Sequence, residues 1–296
     1  IAGRISYAFR HALLRDAVYS SLLHTARSAV HLNVAAILAA DRKTYSAEVI
    51  ARHFESGGDR DLAFIYWLEA GQHALESGAS EEAVNLLASA VNISQDLEET
   101  PARLQDLTNH NLAYGHALNA VAGAVADPIR HFRKAEDLAN RLDDPEFILE
   151  ALDWQFGVLF NAGEVIACME PARKMKDLGL STDNRKAIAS GFQGLGMAHF
   201  MQGKFAVAGE DFEQGLKAAG DYVSGKHCFP SMALSYLAWT LFVQGSTDRA
   251  ASCAERAIAS ARHESPHAIA TALSNCAYVY QCMGAVDEVY ACANEL

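Results

Sequence analysis

Proline and paired cysteines are both scarce in this sequence. It contains six prolines in 296 residues, and its six cysteines include no Cys-x-x-Cys pair. Because proline interrupts helices more strongly than any other residue, its scarcity favours helices along the whole chain. A chain of this length without paired cysteines is not a disulfide-stapled scaffold, so we expect buried, reduced thiols and a cytoplasmic location.

Long apolar runs and an excess of positive charge are also missing. No apolar run reaches the roughly 18 to 20 residues that a membrane span needs, so we expect no membrane partner. The net charge of −12 argues against a nucleic-acid partner. The charge is uneven, because residues 1–60 carry eight Lys and Arg against five Asp and Glu. The chain begins with Ile1, and no basic-then-apolar leader follows, so we expect a piece of a longer protein.

The sequence does contain an internal repeat, which is sought before other signals because it decides the architecture. Two stretches, 196–215 and 238–257, share one pattern around a central glycine. In each stretch a small residue lies seven positions before the glycine, and further small residues lie five and twelve positions after it. These positions hold Gly196, Gly203, Ala208 and Gly215 in one copy, and Ala238, Gly245, Ala250 and Ala257 in the other.

The central glycine recurs along most of the chain. Each copy separates two stretches of helical apolar spacing, which predicts a hairpin made of a first and a second helix. The glycines are Gly78, Gly123, Gly163, Gly203, Gly245 and Gly284, at spacings of 45, 40, 40, 42 and 39 residues. The predicted first helices span about 59–77, 101–121, 145–161, 183–202, 229–244 and 266–283. The predicted second helices span about 80–97, 126–142, 164–179, 204–219, 247–263 and 286 to the end.

Small side chains at fixed offsets let two paired helices approach to the short end of the interaxial range of about 8–10 Å. Such hairpins bury their apolar faces by stacking on their neighbours. The sequence therefore predicts an all-α fold, a right-handed superhelical solenoid of antiparallel helix hairpins with a period of about 40 residues. We place the solenoid at residues 59–296. Residues 1–58 form a helical head with three helical stretches of its own.

The repeat pattern resembles the tetratricopeptide repeat, whose consensus spreads a large residue, a Leu-Gly-like pair, an aromatic residue and spaced alanines over two helices. The resemblance covers residues 59–296, although the period exceeds the usual value of about 34 residues. The copies around Gly123 and Gly163 are degenerate, with Pro128, Cys168 and Met175 where other copies have alanine. These departures resemble the longer-helix variant of bacterial signalling ATPases.

The head carries a second resemblance. Phe9-Arg-His-Ala-Leu-Leu-Arg-Asp-Ala-Val-Tyr19 is similar to the segment that closes the ATPase module of large bacterial regulators, which often carry a class III adenylate or guanylate cyclase domain. Ala51-Arg-His-Phe-Glu-Ser-Gly-Gly-Asp59 resembles the junction that follows this module. The resemblance implies that residues 1–58 are the C-terminal end of an ATPase module. It also implies that residues 1–60 contact the ATPase domain of the parent protein.

Two short motifs match catalytic patterns by spacing alone. His263-Glu-Ser-Pro-His267 fits the His-Glu-x-x-His pattern of zinc hydrolases, which needs both histidines on one face of a continuous helix. Its proline disfavours helix at the preceding serine, so we expect a loop here and keep a zinc hydrolase through His263, Glu264 and His267 as a remote alternative. Residues 220–227 lack the preceding strand and the hydroxyl of a phosphate-binding loop. We therefore expect no catalytic residue, no metal and no cofactor.

One stripe of large residues indicates a binding surface. On the first helices, the positions three and six before the glycine are rich in aromatic residues and share one helix face. In tetratricopeptide arrays that face lines a concave groove, and the acidic surroundings here favour a basic or neutral partner. The alternative is that these side chains pack between neighbouring repeats. The candidate groove residues are Phe160, Met197, Phe200, Trp239, Phe242 and Tyr278, with Asp153, Gln193 and Ser235 as polar contacts.

These observations predict a non-catalytic protein-interaction or sensor module that regulates a bacterial signalling ATPase linked to an adenylate or guanylate cyclase. The expected partner is a protein, a peptide or a small ligand held in the groove. The alternative is a self-association scaffold, a homodimer in which the stripe binds another copy of the chain.

Overall fold

The structure of the protein is a computed structural model that describes residues 10–94, 97–121, 127–220 and 230–296. Within these residues the chain forms fifteen α-helices and no β-strand, which confirms the predicted all-α class. The helices are α1 Ala12–Ser21, α2 His24–Ala39, α3 Ala47–Gly57, α4 Arg60–Glu76, α5 Ser80–Ser94, α6 Pro101–Ala120, α7 Pro128–Leu142, α8 Pro145–Asn161, α9 Met169–Thr182, α10 Arg185–Met201, α11 Phe205–Ala219, α12 Pro230–Val243, α13 Thr247–Ala261, α14 Pro266–Met283 and α15 Val286–Glu295.

The chain divides into two compact units, residues 1–126 and residues 127–296. Unit 1 contains α1 to α6, and unit 2 contains α7 to α15. The predicted boundary between residues 58 and 59 lies inside unit 1, where α3 contacts α4, and it stays a prediction. Among the described residues, no helix is both long enough and apolar enough to cross a membrane.

The turn glycines behave as the repeat predicts. Five of the six lie in the described residues, and all five have positive φ, between 73° and 81°. Gly203 shows the reason: its left-handed conformation ends α10, and its neighbour Lys204 donates its N–H to the carbonyl oxygen of His199, 2.9 Å away. A side chain with a Cβ disfavours this conformation, so glycine fits the turn best. The sixth predicted turn glycine, Gly123, lies outside the described residues.

The small residues at the other offsets allow the two helices of each hairpin to touch. A Cβ added to Gly196 in α10 would lie 2.7 Å from Cε1 of Phe212 in α11. A Cβ on Gly71 in α4 would clash with the side chain of Leu87 in α5. Ala208 and Ala250, at the equivalent position five residues after the turn, are fully buried. The predicted cause of the hairpins, close approach through small side chains, is therefore confirmed.

Side-chain caps explain where the first helices begin. Asp144 accepts the N–H of Glu146 and of Phe147 at the start of α8, and Asn184 Oδ1 accepts the N–H of Ala187 in α10. Such caps stabilise a helix start because they satisfy N–H groups that have no partner within the helix. The predicted starts of these helices, near residues 145 and 183, agree with the observed ones.

One predicted helix start is wrong. The second helix of the Gly163 hairpin was expected from about residue 164, but α9 begins at Met169. The reason is a tight turn, in which the N–H of Val165 bonds the carbonyl oxygen of Gly163 at 2.8 Å, so residues 164–168 continue the connection.

Four of the cysteines lie in the core of unit 2, as expected. These are Cys168, Cys253, Cys276 and Cys292. Burial raises the pKa of Cys276 to about 12, so this thiol stays protonated and unreactive near neutral pH. The expectation fails for Cys282, which is exposed, and Cys228 lies outside the described residues.

Candidate functional site

The first helices of unit 2 follow one another directly. Helix α8 contacts α10, α10 contacts α12, and α12 contacts α14. Aromatic side chains link them, because the ring of Trp239 on α12 meets Phe200 on α10 at 5.7 Å and Tyr278 on α14 at 6.2 Å, both edge to face. Tyr236 adds a further edge-to-face contact with Phe200 at 5.5 Å. We call the surface that carries these four residues the first-helix face.

A pocket opens among these rings. Its volume is about 180 Å³, and most of its lining is apolar. It lies where α10, α12 and α14 meet, so side chains from three successive hairpins contribute to it. We call it the aromatic pocket, and its lining residues are Phe200, Met201, Ser235, Tyr236, Trp239 and Asn275.

Hydrogen bonds hold one wall of the aromatic pocket. Trp239 Nε1 donates to the backbone carbonyl oxygen of Asn275 at 3.0 Å. Asn275 Nδ2 donates to Ser235 Oγ at 3.2 Å, and Ser235 Oγ donates to the carbonyl oxygen of Met232 at 2.9 Å. Within the described residues, the carboxamide oxygen Oδ1 of Asn275 has no protein partner. Burial raises the pKa of Tyr236, so its phenol stays neutral.

The first-helix face carries almost no charge. Helices α12 and α14 contain no Asp, Glu, Lys or Arg, and α10 contains none after Lys186. Acidic residues lie instead on the second helices, for example Glu210 and Asp211 on α11, and on the first helix α8, which carries Glu150 and Asp153. The expected acidic surroundings of the groove are therefore wrong at this surface. The error arises because the net charge sums over all faces of the helices. A partner contacts one face, and helix periodicity can leave that face uncharged.

The predicted groove residues occupy three kinds of position. Phe200, Trp239 and Ser235 line the aromatic pocket, and Tyr278 extends the ring series with 59% of its surface exposed. Phe160 and Phe242 are half-buried and pack against the hydrophobic core, and Asp153 is also half-buried. Met197 and Gln193 are buried, with 5% and 9% of their surfaces exposed. Part of the stripe therefore lines the aromatic pocket and part of it packs in the core, and partner binding by these residues stays a prediction.

Three pocket residues were absent from the predicted set. Tyr236 and Asn275 lie nine positions before their glycines, and Met201 lies two positions before Gly203. The positions two, six and nine before the glycine are spaced by four and three residues, so they share a helix face. The predicted stripe used the positions three, six and ten, which straddle this face and its buried edge. The exposed fraction of Met201, 54%, supports this register.

Gln193 contributes a further polar atom beside the first-helix face. Its Nε2 lies 3.7 Å from Sδ of Met232, whereas its buried carboxamide oxygen Oε1 has no partner among the described residues. A buried carbonyl oxygen without a donor is unfavourable by about 1–3 kcal/mol. The oxygen is thus an unused acceptor between α10 and α12.

The zinc-hydrolase alternative does not fit the geometry of its motif. Helix α13 ends at Ala261 and α14 begins at Pro266, so no continuous helix joins His263 to His267. Glu264 is engaged elsewhere, because its carboxylate accepts the N–H and the hydroxyl of Ser231 at 3.0 and 2.8 Å. Glu264 therefore caps the start of α12 and has no free role as a base. The motif at residues 220–227 lies, apart from Gly220, outside the described residues.

Unit 1 contains a larger and more polar cleft of about 710 Å³, bordered by residues 42–48 and by α4. Its charged side chains include an ion pair between Arg42 and Glu69. Ser46, which starts α3, makes no capping hydrogen bond through its side chain. None of the predicted groove residues borders this cleft.

No protein-family model matches the chain. One curated relative, the uncharacterized protein R02095 of Rhizobium meliloti (strain 1021), is 25% identical over 149 residues, which cover 48% of this chain. The match covers 14% of the relative, so the chain corresponds to a small part of that protein's length.

Solved structures share the fold at low sequence identity. The apo form of RapI superposes with a TM-score of 0.59 at 12% identity, covering 84% of this chain and 70% of RapI. The apo quorum sensor NprR from B. thuringiensis superposes with a TM-score of 0.57 at 12% identity, covering 91% of this chain and 74% of NprR. The Rap conjugation gene regulator of plasmid pLS20, in complex with the Phr* peptide, superposes with a TM-score of 0.54 at 17% identity. The match covers 79% of this chain and 62% of the regulator. These similarities confirm a tetratricopeptide-like helical-repeat solenoid.

Proposed function

We propose that this chain is a non-catalytic interaction module whose first-helix face in unit 2 binds a protein or peptide partner. The aromatic pocket is the observation that carries this proposal. Aromatic residues and Met are common anchors of binding surfaces. An uncharged helix that is partly exposed to solvent is typical of an interaction surface. The pLS20 Rap regulator, which has a similar fold, is solved with a peptide bound, and this supports the same use here.

The proposal is tested by site-specific photo-crosslinking in cells of the source organism. A benzophenone side chain replaces Tyr278, which is 59% exposed on the first-helix face. The matched control replaces Tyr290, 66% exposed on the second helix α15. We expect an adduct with another protein from position 278 and none from position 290. Adducts from neither position, or equally from both, would contradict the proposal.

The second candidate function is the self-association scaffold. It is favoured by the apolar character of the same face, since homodimer interfaces are more apolar than other surfaces. In the crosslinking experiment it predicts an adduct of the chain with itself at position 278. Light scattering separates the two functions further, because a molar mass that stays monomeric as concentration rises excludes the scaffold.

We further propose that the module works in the cytoplasm and regulates a bacterial signalling ATPase linked to a cyclase, which the head contacts. Helix α1 supports the contact. Its Tyr19 bonds His31 Nε2 on α2 at 2.9 Å, while Leu13, Leu14 and Val18 remain 83%, 57% and 51% exposed. Leu14 and Val18 lie four residues apart and share a helix face, so α1 presents an exposed apolar surface. Limited trypsin cleavage of the intact parent, with and without its partner, tests the coupling, and unchanged protection of residues 40–60 counts against it.

A further inference from the structure

We propose, resting on the function proposed above, that the aromatic pocket selects one large uncharged side chain of an extended peptide, and that Asn275 holds the peptide main chain beside it. The size of the pocket is the first argument. Its volume of about 180 Å³ is close to that of the cavity of about 150 Å³ that holds one benzene molecule. It is smaller than the roughly 300–1,000 Å³ typical of small-molecule sites. One aromatic or branched aliphatic side chain fits, with the rest of the ligand outside.

The absence of charge around the pocket is the second argument. A Lys or Glu side chain inserted between Phe200, Tyr236 and Trp239 would lose its water. It would find no opposite charge on α12 or α14, because neither helix contains a charged residue. Burial of an unpaired charge is strongly unfavourable, whereas an apolar side chain gains from the same burial. The pocket therefore discriminates by charge as well as by size.

The hydrogen-bonding state of the pocket is the third argument. The indole N–H of Trp239 is already bonded to the Asn275 carbonyl, so the ring offers only its apolar surface. One N–H of the Asn275 carboxamide is bonded to Ser235, which fixes the orientation of the group. Its oxygen Oδ1 has no partner in the described residues, and Asn275 is one of the residues that line the pocket. A hydrogen-bond acceptor of fixed orientation beside an apolar pocket can bind a backbone N–H of the peptide, next to the peptide side chain that fills the pocket.

The probe for this proposal is a displayed library of random heptapeptides, selected on the whole chain in its native state. We expect the enriched peptides to share one Phe, Leu, Ile or Met and no required charge. A fluorescein-labelled enriched peptide is then titrated by fluorescence polarisation. Because charge pairing contributes little, its Kd changes by less than about twofold between about 50 and about 500 mM NaCl. Replacing the anchor by Lys or trimethyllysine weakens binding by about 30-fold or more.

The variants are chosen so that folding is kept. Met201→Lys places a charge at the rim from a residue that is 54% exposed, and we expect binding to weaken by about 30-fold. Val243→Lys is the matched control, because it adds the same charge at a 50% exposed residue outside the pocket, and we expect less than about threefold. Asn275→Ala removes the side-chain oxygen that would accept the N–H of the peptide main chain, and we expect binding to weaken by about tenfold.

Each outcome bears on a different claim. Enriched peptides that are charged, salt-dependent, or bound through trimethyllysine would overturn the selectivity proposed here and leave the interaction function standing. Enriched peptides that bind Met201→Lys and Val243→Lys equally would place binding away from the pocket and contradict both proposals. Failure to enrich any peptide, with light scattering giving a dimer, would favour the self-association scaffold and overturn the peptide ligand. Binding of indole or toluene without peptide binding would overturn it as well.

Discussion

The indole Nε1 of Trp239 on α12 donates a hydrogen bond to the backbone carbonyl oxygen of Asn275 on α14, 3.0 Å away. This bond joins two successive hairpins and also forms a wall of the aromatic pocket. The same side chain thus stabilises the array and shapes the surface that a partner would meet. Packing between repeats and partner binding are not alternatives at this position. The indole N–H of Trp239 bonds the next hairpin, while its ring also lines the pocket.

Trp239→Phe removes the donor and keeps an aromatic ring. We expect the free energy of unfolding to fall by about 1 kcal/mol, the usual net value of one hydrogen bond. Tyr278→Phe is the control, because this exposed phenol makes no hydrogen bond within the described residues, and its effect should stay within about 0.5 kcal/mol. Urea unfolding followed by circular dichroism measures both. Equal effects of the two variants would mean that the bond between Trp239 and Asn275 does not form in solution.

A pair of glycine variants tests the close packing of the hairpins. Gly196→Ala adds a Cβ 2.7 Å from the ring of Phe212, so we expect it to lower the free energy of unfolding by about 1–3 kcal/mol. Gly157→Ala, also inside a first helix, meets nothing within 4 Å and should raise it by about 0.5–1 kcal/mol, because alanine favours the helix. Thermal unfolding of the two variants beside the wild type gives the comparison. A stabilising Gly196→Ala would show that small side chains are not needed at the helix contact.

The sequence predicted the hairpins well because their cause is local. Small residues and turn glycines can be read directly from the sequence, and the offset between Gly203 and Ala208 recurs between Gly245 and Ala250. The pocket was harder to predict because two positions that differ by one residue, such as nine and ten before the glycine, point in different directions from the helix. Phe200 and Trp239 were found, while Tyr236 and Asn275, one position along from the predicted polar row, were missed. The charge of the face was mispredicted because net charge does not distinguish the two helices of a hairpin.

Glu264→Ala tests the capping role of the residue that the zinc alternative needs as a base. Its carboxylate bonds Ser231 and, at 3.0 Å, the hydroxyl of Ser260, so we expect a loss of about 1–3 kcal/mol in the free energy of unfolding. His267→Ala, at an exposed position, should change it by less than about 0.5 kcal/mol. Added zinc should leave the melting temperature of the wild type unchanged. A rise in that temperature that disappears in His267→Ala would revive the metal site.

His131 on α7 makes the stability of unit 2 sensitive to acid. Burial lowers its pKa from the ordinary 6.5 to about 4, with the charge of Arg130 adding to the effect and that of Asp127 opposing it. Because the folded pKa lies below the unfolded one, the stabilisation is complete above about pH 6.5 and is lost as the pH falls towards about 4. Between pH 7 and pH 5 the loss is roughly 2 kcal/mol.

His131→Leu removes this titration while keeping an apolar side chain in a site that is 7% exposed. We expect the variant to lose less free energy of unfolding than the wild type between pH 7 and pH 5, by roughly 2 kcal/mol. Denaturant unfolding at the two pH values measures the difference. Identical losses in the two proteins would mean that His131 is protonated as easily in the folded chain as in the unfolded one.

The central claim is that partners bind the first helices of unit 2, and hydrogen–deuterium exchange tests it most directly. Exchange is followed by mass spectrometry on the wild-type chain, with and without the peptide enriched by display. We predict slower exchange in α10, α12 and α14, centred on residues 197–202, 234–243 and 272–280, and no change in α11 and α13. Protection confined to the second helices, or to unit 1, would contradict the claim.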